Sequence, residues 1–355
     1  MILAGIDEAG YGPLLGPLVV GCCAFEISGI QARDAELPCV WKRLKKLVSK
    51  QRSKNGKKLH INDSKVVYRG SDEGGLREVE RAVLAILLSG SQTSNIQHPT
   101  SNVEPENAKR DLSCLDDLLG RVAGHAIEDL RRYPWYQPFE GEKFPLEQEL
   151  LPVRLFSNAL KAEMETSGAR CVHLAARVVS ERKLNDLIGA TRNKASALFS
   201  TAAIHLDYLL RTYGQSASQG GLTIFCDRQG GRTHYGSLLR LMFGNEAQDG
   251  EGWELEISSE TEARADYRLR RRGSEVRILF CEKAEEQCLP VAAASMLSKY
   301  LREALMHRFN AYWKRLLPSV KPTAGYYTDG VRFLGDIQLK RAEMGIADEL
   351  LIRSR

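Results

Sequence analysis

The chain has 355 residues, 43% of them apolar and 27% charged, with a formal charge of +5 and a mean hydropathy of −0.30. That length supports a sizeable core in one large domain or two smaller ones. No apolar run approaches the ~18 residues needed to cross a bilayer, and no basic segment leads into an apolar one at the start, so a soluble, cytoplasmic protein without membrane contact is expected.

Ile2 to Ile6 reads as a strand and Leu18 to Ile27 as a second one, with Gly10, Gly12, Pro13, Gly16 and Pro17 marking a turn between them. Between Lys42 and Lys58 stand nine basic residues and no acidic one. A helix is expected over Leu76 to Leu88, where Leu76, Val79, Val83 and Leu87 repeat at three and four residues. Ser89 to Arg110 has almost no large apolar side chains and reads as a mobile loop. The aromatic, proline-rich stretch from Tyr133 to Pro152 is expected to pack on its own domain. A helix at Phe156 to Ser167, a strand at Arg170 to Val179 and one long helix from Lys183 to Arg211 follow. Gly220 to Asp227 is a buried strand that ends in a carboxylate. Trp253 to Ile257, Tyr267 to Arg271 and Val276 to Phe280 alternate as an antiparallel ribbon does. A second basic group, Arg268 and Arg270 to Arg272, lies within it. The last long helix carries Pro290 in its first turn, where a missing N–H costs nothing.

The eight cysteines are scattered through mostly apolar stretches with no CxxC pair and no histidine at zinc-ligand spacing, as reduced core thiols would be.

The chemistry concentrates in GIDEAGYGPLLGPLVV. Adjacent acids alone mean little, because 45 acidic residues among 355 give roughly six such neighbours by chance. On a regular strand Asp7 and Glu8 would face opposite ways, so a shared site requires the strand to end between them. Gly10, Gly12 and Pro13 supply an ending, and the glycines let backbone N–H groups approach a ligand closely. Asp227 ends another apolar strand ahead of Gly230 and Gly231. Three carboxylates at neighbouring strand ends would repel unless divalent cations sat among them, and oxygen-rich sites select Mg²⁺ or Mn²⁺. Two such ions suit phosphodiester hydrolysis, and the two basic blocks would suit a polyanion held beside them. Ser295, Lys299 and Glu303 share one face of the Pro290 helix and offer a fourth acid, while Ala292 to Ala294 would let that helix pack closely on the sheet.

These residues resemble a known family. GIDEAGYGPLLGPLVV is similar to the opening motif of the type 2 ribonucleases H, ribonuclease HII and HIII. NDSK at Asn62 to Lys65, FCDRQGG, EKAEEQCLPVAAASMLSKYLRE and GYYT at Gly325 to Thr328 resemble their later motifs in the same order. The match spans Ile2 to about Asp336, with unmatched stretches at Ser89 to Leu155 and Gly244 to Arg277.

The resemblance implies an α/β fold, a ribonuclease H-like mixed central sheet flanked by helices. It implies a single domain over 1–355, with an inserted segment at 89–155 and a β-ribbon insertion at about 244–277. It also implies metal-dependent cleavage of the RNA strand in RNA/DNA hybrids or ribonucleotide-containing duplexes. Carried over by position, Asp7, Glu8, Asp227 and Glu303 would be the catalytic metal ligands, with Mg²⁺ or Mn²⁺ as the ion. Ser64 and Lys65 would hold phosphates, the backbone of Gly10, Tyr11 and Gly12 would meet the ribose, and Tyr326 would stack on a sugar. Tyr11 stands where HII enzymes have arginine and HIII enzymes lysine, and Glu303 where the family usually has aspartate. The second reading is a non-catalytic nucleic-acid-binding protein on the same fold.

Overall fold

The structure is a computed structural model and describes residues 1–29, 37–68, 74–90, 112–215, 221–244 and 252–354. Most of the loop expected over Ser89 to Arg110 lies outside these residues.

The strands are β1 (Ile2–Ala9), β2 (Leu18–Ile27), β3 (Val48–Ser49), β4 (Leu59–His60), β5 (Ala169–Val179), β6 (Leu222–Asp227), β7 (Glu254–Glu260), β8 (Arg264–Arg271) and β9 (Ser274–Cys281). Seven of them form one mixed sheet in the order β5-β2-β1-β6-β9-β8-β7, and β3 and β4 pair separately. β1 runs antiparallel to β2 and parallel to β6, which runs parallel to β9. This is the expected α/β arrangement, a mixed central sheet flanked by helices. The inner strands β1, β2 and β6 are covered on both faces, which is why they read as continuous apolar runs rather than alternating ones. The ribbon expected around 244–277 is part of this sheet, since β8 and β7 continue it antiparallel beyond β9.

The helices begin with α1 (Val40–Arg43), α2 (Ser64–Val67), α3 (Arg77–Ser89) and α4 (Leu115–Ala123). α5 (Ile127–Leu130), α6 (Leu150–Ser167), α7 (Glu181–Thr191), α8 (Lys194–Tyr213) and α9 (Gly236–Phe243) follow, then α10 (Ala284–Gln287), α11 (Leu289–Leu316), α12 (Tyr327–Glu343) and α13 (Asp348–Leu351). The single helix expected over Lys183 to Arg211 is two. Arg192 adopts a left-handed conformation that ends α7, and the Asn193 side chain accepts from Ser196 N–H to start α8.

One core lies between the sheet and α11, α3, α4 and α6; the other lies between the sheet and α7, α8 and α9. α11 approaches the sheet closely because both surfaces are small. Pro290 and Val291 lie over Gly5, and Ala294 over Gly21, where an added Cβ would lie 2.1 Å from Val291 N and 2.4 Å from Ala294 O respectively. The aromatic stretch docks on the far end of α11, with Trp135 buried against Phe309 and Trp313. Cys22, buried on β2, meets His173 of β5 and His205 of α8 with ligand atoms within 4.8 Å of one another, a proximity that sequence spacing does not show. No helix among the described residues is long and apolar enough to cross a membrane.

Candidate active site

β1 does not end between its two acids. It runs on to Ala9 in regular register with β2, Asp7 opposite Gly21 and Glu8 opposite Val20. The two carboxylates still share a site because β6 stops pairing at Cys226, opposite Ile6, so Glu8 lies beyond the last parallel rung. There it is past the neighbouring strand, and its charge meets that of Asp227, the last residue of β6.

A fourth carboxylate comes from Glu285. Lys283 turns left-handed after β9, and α10 then starts with Ala284 N–H donating to Asp227 Oδ1 at 3.2 Å. That turn brings Glu285, which is buried, against Asp227. The electrostatics describe acids grouped around one anionic point, loosely enough that no three of their carboxylates bring oxygens within 4.8 Å of one another. Burial, then Glu8 and Asp227, hold the Asp7 carboxyl well above the usual carboxylate range. Burial and Asp227 push Glu8 up to about 8 against the opposing pull of Lys65, and burial with Asp227 and Asp63 brings Glu285 to about 7. Burial also raises Asp227, though the Ala284 N–H restrains it. Burial alone would lower the Lys65 ammonium, but Asp63, Asp7, Glu285 and Asp227 around it raise it instead. Glu8 Oε2 and Glu285 Oε2 are buried with no hydrogen-bond partner. Buried carboxylate oxygens left without donors fit a divalent cation.

Glu303 is not part of this point. Its carboxylate accepts from Lys299 Nζ at 2.8 Å and lies 3.4 Å from Arg302 Nη1. Ser295, Lys299 and Glu303 do share a helix face, but of the three only Ser295 lies beside the Asp7 carboxyl, where its hydroxyl opposes the upward shift. Glu303 lies eight residues further along α11, about 12 Å at 1.5 Å per residue. Sequence reasoning misses Glu285 although it stands within the same motif-bearing stretch. The available signal is its place just after a strand parallel to β6, whose end must fall at the same edge of the sheet.

The remaining sequence-derived residues gather around the acids. Ser64 is buried and its Oγ accepts from Ser295 Oγ at 3.0 Å, so it braces α2 against α11 rather than facing a phosphate. Lys65, next to it, is the residue that meets the carboxylates. The loop from Gly10 to Gly16 is held by two buried arginines. Arg353 donates to Gly10 O, Gly16 O and Tyr11 O, and Arg302 donates to Leu15 O and Ala324 O. With its carbonyls claimed from within, the loop presents Gly12 to open space, with nothing within 4 Å of its Cβ position. Leu14 N–H and Leu15 N–H donate to Gly325 O, which mounts the 54% exposed Tyr326 beside the loop. Tyr11 lies under Lys194 Nζ, 5.3 Å from the ring centroid, with its hydroxyl packed against Gly230.

Fold and site together define a mixed-sheet α/β protein with four neighbouring, partly buried carboxylates at the ends of parallel strands. No protein-family model matches the chain. It is similar to solved ribonucleases of the HII and HIII types. One is ribonuclease HII in a PCNA complex from Archaeoglobus fulgidus, at 15% identity and TM-score 0.37 over 100% of this chain and 95% of that one. Another is ribonuclease H2 from Pyrococcus horikoshii OT3, at 12% identity and TM-score 0.34 over 99% and 92%. A third is a mutant protein of Bst-RNase HIII, at 16% identity and TM-score 0.41 over 99% of this chain and 65% of that one.

Proposed function

We propose that the chain is a metal-dependent endonuclease that hydrolyses the RNA strand of RNA/DNA hybrids or of ribonucleotide-containing duplexes. The observation that carries this reading is the mutual electrostatic influence of Asp7, Glu8, Asp227 and Glu285 at one edge of the sheet, two of whose carboxylate oxygens lack donors. Mg²⁺ or Mn²⁺ held by these four carboxylates would supply an activated water and stabilise the leaving oxygen of a phosphodiester. Lys65, already among the acids, would take the phosphate that carries the scissile bond. The open backbone at Gly12 admits a ribose without steric conflict from a side chain, and its amide can contact the 2′-hydroxyl that separates RNA from DNA. Tyr326 presents an exposed ring to the adjoining sugar.

The test is incubation with Mn²⁺ of a labelled RNA/DNA hybrid and its all-DNA counterpart. Wild type should cut only the hybrid, and Asp7→Asn should slow cutting by at least about 100-fold. Binding of the hybrid without cleavage by either protein would establish the non-catalytic reading instead.

A further inference from the structure

The two basic blocks have different fates in the fold. Arg268 and Arg270, on β8, are matched across the sheet by acids. Arg270 contacts Glu256 of β7 at 2.7 Å and Glu275 of β9 at 2.8 Å, and Arg268 lies 3.9 Å from Glu275. That face is close to neutral and has little attraction left for a polyanion.

The Lys42 to Lys58 block is built the other way. Its apolar residues turn inward: Trp41, Leu44, Val48, Leu59 and Ile61 are buried, and Trp41 Nε1 donates to Ile61 O at 3.0 Å. Glu163, the acid packed beneath it, accepts from the N–H groups of Lys46 and Leu47, so its charge is taken by backbone and the basic side chains stay on the outside. Lys42, Lys45, Lys46, Arg52, Lys54 and Lys57 form no ion pair among the described residues, and all six are exposed. The base of the block is also fixed to the active site. Lys50 Nζ donates to Glu286 O at 2.6 Å, one residue from Glu285, while Lys50 O accepts from Asn62 Nδ2 at 3.1 Å and from the His60 ring. Asn62 leads directly into Asp63, Ser64 and Lys65.

We infer that the 50–58 loop is a phosphate-binding arm that grips the duplex to one side of the cleavage point, a role that rests on the nuclease reading above. Lys54 is four residues from the Lys50 anchor, so it lies within about 14 Å of it, or about four base pairs at 3.4 Å each. Like-charged and unneutralised, the arm contacts phosphates and carries no base-sequence information. It lengthens the protein's hold on the duplex beyond the few nucleotides the carboxylate centre can touch.

The experiment measures the affinity of an Asp7→Asn protein for a labelled hybrid across 50–200 mM salt, with and without the triple change Arg52→Gln, Lys54→Gln and Lys57→Gln. The slope of log affinity against log salt should shallow by about 2 to 3, at about 0.9 for each phosphate no longer neutralised, and equally for unrelated sequences. Arg268→Gln with Arg270→Gln should leave the slope unchanged. A triple variant with the parent slope would overturn the arm and leave the nuclease reading standing. A parent that fails to bind the hybrid at all would overturn both. Circular dichroism of the triple variant checks that these exposed changes leave the fold intact.

Discussion

Glu285 and Glu303 are chemically identical and differ only in what surrounds them. Glu285 is buried against Asp227 with one oxygen lacking any donor, while Glu303 is satisfied by Lys299. Glu285→Gln should therefore cost about 100-fold in single-turnover cleavage, as a displaced metal ligand does, whereas Glu303→Gln should stay within a few-fold of wild type. Equal losses in the two variants would place Glu303 with the proposed metal ligands. The sequence exposes the acid type and the motif but not the choice between these two glutamates. Periodicity along a helix tells which residues share a face; it does not tell how far along that face the site lies. Asp7, Glu8 and Asp227 are legible because each stands at a strand end marked by glycines.

At the scale of elements, the site depends on how closely α11 lies on β1 and β2. Ser298 Oγ of α11 donates to Asp7 O at 3.1 Å, and Ser295 lies beside the Asp7 side chain, so any separation of helix and sheet moves Asp7. A methyl group at Gly21 would fall 2.4 Å from Ala294 O and 2.6 Å from Ser298 Oγ, a clash with backbone that cannot swing aside. Gly21→Ala should lower stability by about 1–3 kcal/mol or more in denaturant titration and depress cleavage in the fraction that remains folded. Gly189→Ala, on α7 with nothing within 4 Å, should leave both unchanged or add a few tenths of a kcal/mol. Most elements are readable from apolar period alone, including α3, α6, β5, β6 and α11. Two boundaries are not. The break at Arg192 and Asn193 is made by one left-handed residue and one cap, which interrupt no apolar repeat. The extension of β1 through its acids is dictated by pairing with β2, and pairing leaves no mark on a single strand's sequence.

For the whole molecule, the clustered carboxylates couple stability to pH. Their folded-state values are raised, so the folded protein keeps protons that the unfolded chain gives up near pH 4. Where the folded state binds more protons, stability falls as pH rises, here from about 4 through the raised values near 7 and 8. The metal-free protein should melt at a lower temperature at pH 8 than at pH 5, and Mn²⁺ should recover more of that loss at pH 8, where the carboxylates are free to bind it. A metal-free melting temperature that rises over this interval would contradict the crowded-acid description.

The Arg353 side chain closes on the carbonyl of Gly10, a contact that spans 343 residues of chain. At synthesis rates of about 5–20 residues per second, roughly 20–70 s pass between the making of the loop and the making of its clamp. During that interval β1 and β2 can pair and the acids of β1 exist, yet the glycine turn above them lacks the Arg353 guanidinium. The glycine turn therefore acquires its final shape well after the strand that carries the first two acids has been made.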